Sequence, residues 1–296
     1  MRLLILTVLA AALLLPARAG LCRQGERVRH LASITARDTQ IQGVLGGAFY
    51  DQARDRLYVT DVAGGRILAF DAEHRFVSDF AAGGALKEPA GLVRDGRDRF
   101  FVAEPGKGRV LVVDMAAKTV ADLDLSSARK GNPVYPGRLA LDREGRLYLA
   151  DRANQRVLVF NPDLDLVREL PVSGRGLRDV QVDDAGRVYA LDALECLVRV
   201  LEPDGRQIRT LGRRGPGRGE LLFPSALAVD PRGVVYVADA RRDKVLKYGP
   251  DGSFLSEFSQ SGWLEGRLRG PSALCLDREG RIYVVDQMNA RISIFR

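Results

Sequence analysis

Apolar and polar positions alternate along this chain in short bursts rather than long stretches. Runs such as "VVYVA", "RLYLA" and "VLVF" carry Val, Leu, Ile or Tyr for four or five residues and then stop at "DPRG", "DREG", "DDAG" or "PDG". Runs that are apolar on both faces suit strands sandwiched between neighbouring sheets. The stops suit tight reversals, Gly because it tolerates positive φ and Asp because it bonds its own following backbone. No stretch carries a convincing helical period, so the pattern predicts an all-β protein of antiparallel meanders.

The bursts are themselves periodic. "GRIYVVDQMNARISIF" has counterparts in "DRLYVTDVAGGRILAF", "DRFFVAEPGKGRVLVV", "GRLYLADRANQRVLVF", "GRVYALDALECLVRVL" and "GVVYVADARRDKVLKY". The acidic residue closing the first run of each is Asp61, Glu104, Asp151, Asp192, Asp239 or Asp286, at intervals of 41 to 47 residues. A period of that size signals a repeat architecture, and four strands repeated radially leave only short, protected sheet edges. The expectation is a six-bladed β-propeller of four-stranded antiparallel blades. Two packed β-sandwich domains would not produce one pattern at near-constant period with no linker between copies.

The unit that ends at Arg296 shows only three runs, whereas every earlier unit continues through a turn into a fourth. Residues 22–34, "CRQGERVRHLASI", have the form of that missing turn and strand. The N-terminal strand Arg27 to Ile34 is therefore expected to complete the last blade by pairing with Arg291 to Phe295, burying Val28, Leu31 and Ile34.

These residues resemble the NHL repeat, a family of six-bladed propellers, through the pattern P-x-x-L-A-V-D-x-x-G-x-x-Y-V-A-D-x-x-x-x-[RK]-V, and the resemblance extends over essentially the whole chain after its first 19 residues. Asn154 and Asn289 stand where the family's signature Asn lies, while Gln155 and Ala290 replace the His that follows it. The repeated acid and the base five positions on (Arg66, Arg109, Arg156, Lys244, Arg291) invite comparison with a catalytic array. A motif present in nearly every blade is better read as the device that holds each turn, the carboxylate bonding turn amides and pairing with the base. Blade four breaks the pattern with Leu197, so its turn must be held differently.

Residues 1–19, "MRLLILTVLAAALLLPARA", have a basic start, an apolar stretch too short to span a bilayer and small residues at Ala17 and Ala19. They read as a signal peptide followed by a single propeller domain over 20–296, exported to the periplasm or the extracellular space with no transmembrane segment after cleavage. Leu21 opposes lipidation at Cys22, because that cleavage needs a small residue there. Loss of Arg2 and Arg18 lowers the formal charge from +7 to +5, so the exported protein stays basic. Cys22, Cys196 and Cys275 have no metal-ligand spacing and read as unpaired thiols.

Chemistry is expected on the loop face and in the channel. The loops between blades hold Arg129, Lys130, Arg175, Arg178, Arg213, Arg214, Arg218, Arg267 and Arg269, whereas the opposite turns are mixed or acidic. A face of that polarity attracts anionic partners. A protein or an anionic envelope ligand is expected. Nucleic acid is disfavoured by export and by the few aromatics available for stacking, Trp263, Tyr135 and Phe223. Four residues before the acid that ends each inner strand stand Gly47, Gly91, Arg138, Asp179, Ala226 and Ala273. Arg138 and Asp179, with Gln181 two positions on, form the polar cluster of the channel, read first as an ion pair plugging it. The functional expectation is a non-catalytic binding or scaffold propeller, monomeric and without a cofactor. The alternative is a channel-centred metal-dependent hydrolase or lyase, gluconolactonase-like, using Asp179 and a divalent cation; His30 and His74 alone do not suit zinc.

Overall fold

A computed structural model describes residues 28–35, 43–129 and 131–296. The leader, Cys22, Arg27 and Lys130 lie outside them. The chain forms six four-stranded antiparallel sheets, each running in sequence order from the inner strand at the axis to the outer strand at the rim, except the last. Blades 1 to 5 occupy residues 45–80, 91–122, 136–171, 177–211 and 224–258, and blade 6 joins residues 271–295 to the strand His30–Thr35. Among the described residues the only helical geometry is four single 3₁₀ turns.

The runs that are apolar on both faces are the second and third strands. Val188–Asp192 and Val235–Asp239 are buried at every position, because each blade lies between two others. One cluster between blades 3 and 4 brings together Tyr148, Val157, Leu170, Val180, Val188 and Leu201. Full burial of such a side chain contributes roughly 1.5–3 kcal/mol. Outer strands have a neighbour on one edge only, and Phe76–Phe80 is exposed at four of its five positions.

Blade 6 closes the ring as the sequence pattern implies. His30–Thr35 pairs antiparallel with Arg291–Phe295, from His30 opposite Phe295 to Thr35 opposite Arg291. Arg29 and Arg296 extend the ladder by exchanging amide-to-carbonyl bonds of 2.7 and 2.9 Å. Ile34 is buried in the core between blades 6 and 1, and Val28 packs at the edge of another cluster. Leu31 departs from expectation and is 40% exposed. It lies three positions before Ile34 and so on the opposite face of the strand, where it is also the unpaired residue of the register shift between His30 and Ala32.

The repeated acids hold the turns between second and third strands. Asp61, Glu104, Asp151 and Asp286 accept from Nε of Arg66, Arg109, Arg156 and Arg291 at 3.1, 2.9, 2.9 and 2.8 Å. Asn154 and Asn289 bind the same carboxylates at 2.7 and 2.8 Å while donating to Pro133 and Gly262 carbonyls of the preceding inter-blade loop. The next position is left-handed in every blade: Gly65, Gly108, Gln155, Cys196, Asp243 and Ala290 all have φ between 48° and 63°. In blade 4 the base is displaced rather than lost. Arg199, two residues beyond Leu197 and therefore on the same face of the strand, reaches Asp192 at 3.5 Å and also bonds Glu195. In blade 5, Lys244 departs from the expected pairing and bonds Glu257, leaving Asp239 to the amides of Leu222, Phe223, Arg241 and Arg242.

Glu104 makes stability depend on pH. Burial raises the Glu104 pKa, but the amides of Lys87 and Glu88 and the Arg109 guanidinium outweigh it and hold the group below its ordinary value. A depressed carboxylate contributes stability above its unfolded pKa and loses it as pH falls through its folded pKa. Glu104→Gln is accordingly expected to lower the melting temperature at pH 7. The deficit should shrink as both proteins are taken below about pH 4, measured by thermal denaturation across a pH series.

Candidate binding face and channel

The six inner strands line the channel, and small residues there decide what fits. Gly47 and Gly91 lie in blades 1 and 2 at the level of Arg138 in blade 3, and the Arg138 side chain occupies the room they leave. A Cβ on Gly47 would stand 2.8 Å from Arg138 Nη1 and 2.8 Å from the Ala90 carbonyl oxygen; one on Gly91 would stand 3.4 Å from Arg138 Cδ. Arg138 Nη1 donates to the Ala90 carbonyl at 3.0 Å, and Nη2 donates to those of Ser272 and Gly46 at 2.9 and 3.3 Å. One guanidinium thus ties blade 3 to blades 1, 2 and 6 across the axis.

Asp179 stands at the same level in blade 4 but is not the direct ionic partner of Arg138. Its carboxylate accepts from its neighbour Val180 N at 2.8 Å and from Leu227 N of blade 5 at 2.9 Å. Arg138 contributes at longer range, through charge. Burial pushes the Asp179 carboxyl up, opposed by the positive charge of Arg138, the two amides and Arg178. The plug is therefore an arginine held by carbonyls and an aspartate held by amides. Arg138, Asp179 and Gln181 do meet, around a residual space of about 20 Å³ beneath the guanidinium, room for one water.

That donor set does not suit a divalent cation. Both Asp179 oxygens are engaged by amides, two arginines add positive charge nearby, and among the described residues no three His, Cys, Asp or Glu side chains converge. Cys196 and Cys275 carry free thiols whose pKa values are raised, chiefly by burial.

Above the plug the channel opens among arginines. Arg178, one residue before Asp179, donates from Nε to the Ser225 carbonyl at 3.1 Å and lies 5.4 Å from the Phe223 ring centroid. Arg152 follows Asp151 in the turn of blade 3, its stem resting where a Cβ on Gly137 would be, 3.0 Å from Cγ. Burial, then the charges of Arg138 and Arg152, lower the Arg178 pKa, with Asp179 opposing. Sequence reasoning placed Arg138 and Arg178 and missed Arg152. Comparing the residue after each turn acid (Val62, Pro105, Arg152, Ala193, Ala240, Gln287) would have found it, because the amides of Val62, Arg152, Ala193 and Ala240 bond the carbonyls of Val44, Tyr135, Gly176 and Phe223 just before the inner strands.

Farther out, Arg213 pairs with Glu220 at 2.8 Å, while Arg214, Arg218, Arg267 and Arg269 form no ion pair among the described residues and Arg129 acts on Asp124 through its charge alone. Arg214 bonds the Leu194 carbonyl, Arg218 lies 5.5 Å from the Phe254 ring centroid, and Arg267 donates to the Ser261 carbonyl at 3.4 Å. Large apolar side chains are exposed among them: Trp263 is 74% and Leu264 58% exposed, with Met288, Leu194, Tyr135 and Phe223 on the same face. The lower face differs. There the acid that ends each inner strand is matched: Arg54, Arg99, Arg146, Arg187, Arg232 and Arg281 bind Asp51, Asp95, Asp142, Asp183, Asp230 and Asp277. Tyr148 and Tyr189 donate to Asp142 and Asp183, and burial, then the carboxylate charge, pushes each phenol up to about 12.

Six radially arranged blades sharing one closed ring, with a plugged channel and a loop face of opposite character to its back, define a β-propeller. Within it, residues 134–160 match the NHL repeat model, and residues 175–260 match a family described as a 6-bladed beta-propeller. No curated protein matches the chain in sequence. Among solved structures it is similar to a putative gluconolactonase (16% identity, 92% of each chain, TM-score 0.67). It is also similar to a gluconolactonase from Xanthomonas campestris (15% identity, 89% of this chain and 88% of that, TM-score 0.67) and to virginiamycin B lyase from Staphylococcus aureus (10% identity, 91% and 98%, TM-score 0.64). At these identities the likeness is one of fold.

Proposed function

We propose that the protein is a non-catalytic binding propeller of the cell envelope that recognises an anionic partner, a protein or an acidic polymer, through its upper face. The observation that carries this reading is the division of the arginines. Those of the blade turns and the lower face are largely matched by carboxylates, whereas those around the upper mouth and rim, Arg213 apart, are not. Unmatched positive charge beside exposed Trp, Tyr and Leu is the composition of an interaction surface. The leader-like residues 1–19 support an envelope location. The enzyme reading that accompanies this fold finds less support, since Asp179 is committed to backbone amides beneath an arginine.

The test is capture from an envelope extract with the wild-type protein, with an upper-face variant (Arg213→Glu, Arg214→Glu, Arg218→Glu) and with a lower-face variant (Arg143→Glu, Arg278→Glu). The expected result is a salt-sensitive partner that the wild type and the lower-face variant retain and the upper-face variant loses. Identical recovery by all three would overturn the reading.

A further inference from the structure

The upper mouth of the channel holds a charge imbalance that the protein does not resolve itself. The Arg152 stem lies over Gly137, and Arg178 stands at the position of blade 4 that matches Gly137 in blade 3, so the two flank Arg138 in adjacent blades; the charges of Arg138 and Arg152 lower the Arg178 pKa after burial, with Asp179 opposing. Arg138 is occupied by carbonyls, but the terminal nitrogens of Arg178 and the whole guanidinium of Arg152 have no acceptor among the described residues. A second observation lies at the same ring level: Ser272 Oγ is buried without a hydrogen-bond partner, although the Ser272 carbonyl is fixed by Arg138. The Arg152 guanidinium and the free edge of Arg178 face solvent at this mouth, with the buried, unpartnered Ser272 hydroxyl at the same level of the ring.

We infer that this mouth is a binding site for one oxyanion, a carboxylate or a phosphate. Arg178 is pre-oriented by the Ser225 carbonyl and by Phe223, so its free edge is presented without loss of rotamer freedom on binding. Arg152 supplies the second planar donor from the neighbouring blade, and Arg138 supplies fixed positive charge beneath. Planar N–H donors facing a carboxylate or phosphate give the short, charge-assisted bonds that recognise those groups. The half-exposed rings of Phe223 and Tyr135 border the mouth, which suits an anion carried on a sugar or another ring. The inference deepens the proposed function and rests on it only for the source of the ligand; the site is probed with small anions, so either can fail alone.

The experiment is thermal denaturation at low ionic strength in sodium phosphate or sodium glucuronate against sodium chloride at matched ionic strength. The variants are Arg152→Gln/Arg178→Gln and, as a control on the lower face, Arg278→Gln. A bound anion stabilises the native state by mass action, by about 2.7 kcal/mol at a hundredfold excess over Kd. The wild type and Arg278→Gln are expected to melt higher in at least one of the two anions than in chloride, and the double variant to lose that rise. A rise in phosphate alone identifies a phosphate source, a rise in glucuronate alone a carboxylate source. Absence of a rise in both anions, or an equal rise in the double variant, overturns the proposal.

Discussion

Removal of residues 22–35 from behind the leader is expected to lower the melting temperature by about 10 °C or more and to leave the ring open between blades 1 and 6. The strand His30–Thr35 supplies five paired positions to Arg291–Phe295, and Arg29 adds a reciprocal pair of backbone bonds with Arg296. At about 0.5–1.5 kcal/mol net per bond, several such bonds amount to roughly 5 kcal/mol, before the burial of Ile34 is added. A domain is stable by only about 5–15 kcal/mol in all, so the loss is a large fraction of the whole. The exposed edge of Arg291–Phe295 is then a template for any extended chain, including a synthetic peptide of residues 22–35. Addition of that peptide should restore much of the melting temperature. An unchanged melting temperature on deletion would show that the last blade is stable with three strands and that closure contributes little.

Closure was legible because it rests on a repeated unit. Once five copies define four runs, a copy with three runs and an N-terminal segment with one account for each other. Leu31 is expected inward with Val28 and Ile34, but it lies three positions from each, so strand alternation already sets it on the opposite face, and it is exposed there. What remained hidden depended on single-residue geometry. Leu197 looked like a missing base; its replacement by Arg199 needed the knowledge that alternate strand positions share a face and that this stretch is a strand to its end. The channel cluster was legible as a cluster, since position within the repeat fixes the level along the axis. Its bonding was not, because the acceptors for Arg138 are main-chain carbonyls, which every residue carries and no side-chain pattern marks. Arg152 was hidden for a different reason: its stem passes over Gly137, so a turn residue reaches the mouth of the channel.

Arg138→Ala is expected to cost roughly 3–6 kcal/mol, read from chemical denaturation. It deprives the carbonyls of Ala90, Gly46 and Ser272 of their donor, and each unsatisfied acceptor costs about 1–3 kcal/mol. Water entering the opened channel sets the lower end of that range by taking over part of the bonding. Arg138→Lys should fall between the two proteins, since a single ammonium keeps the charge but cannot present donors from two ends of a plane. The converse substitution tests the fit from the other side. Gly47→Ala places a methyl group 2.8 Å from Arg138 Nη1, 2.8 Å from the Ala90 oxygen and 3.0 Å from Gly91 Cα, so it too should destabilise the fold. If the guanidinium is what Gly47 makes room for, Gly47→Ala should cost about 1 kcal/mol less in the Arg138→Ala background than in the wild type, the coupling expected of residues in contact. The remaining penalty belongs to the backbone contacts, which Arg138→Ala leaves in place. Full additivity would mean that the small inner residues answer only to the crowding of the strands and that Arg138 merely occupies space they leave.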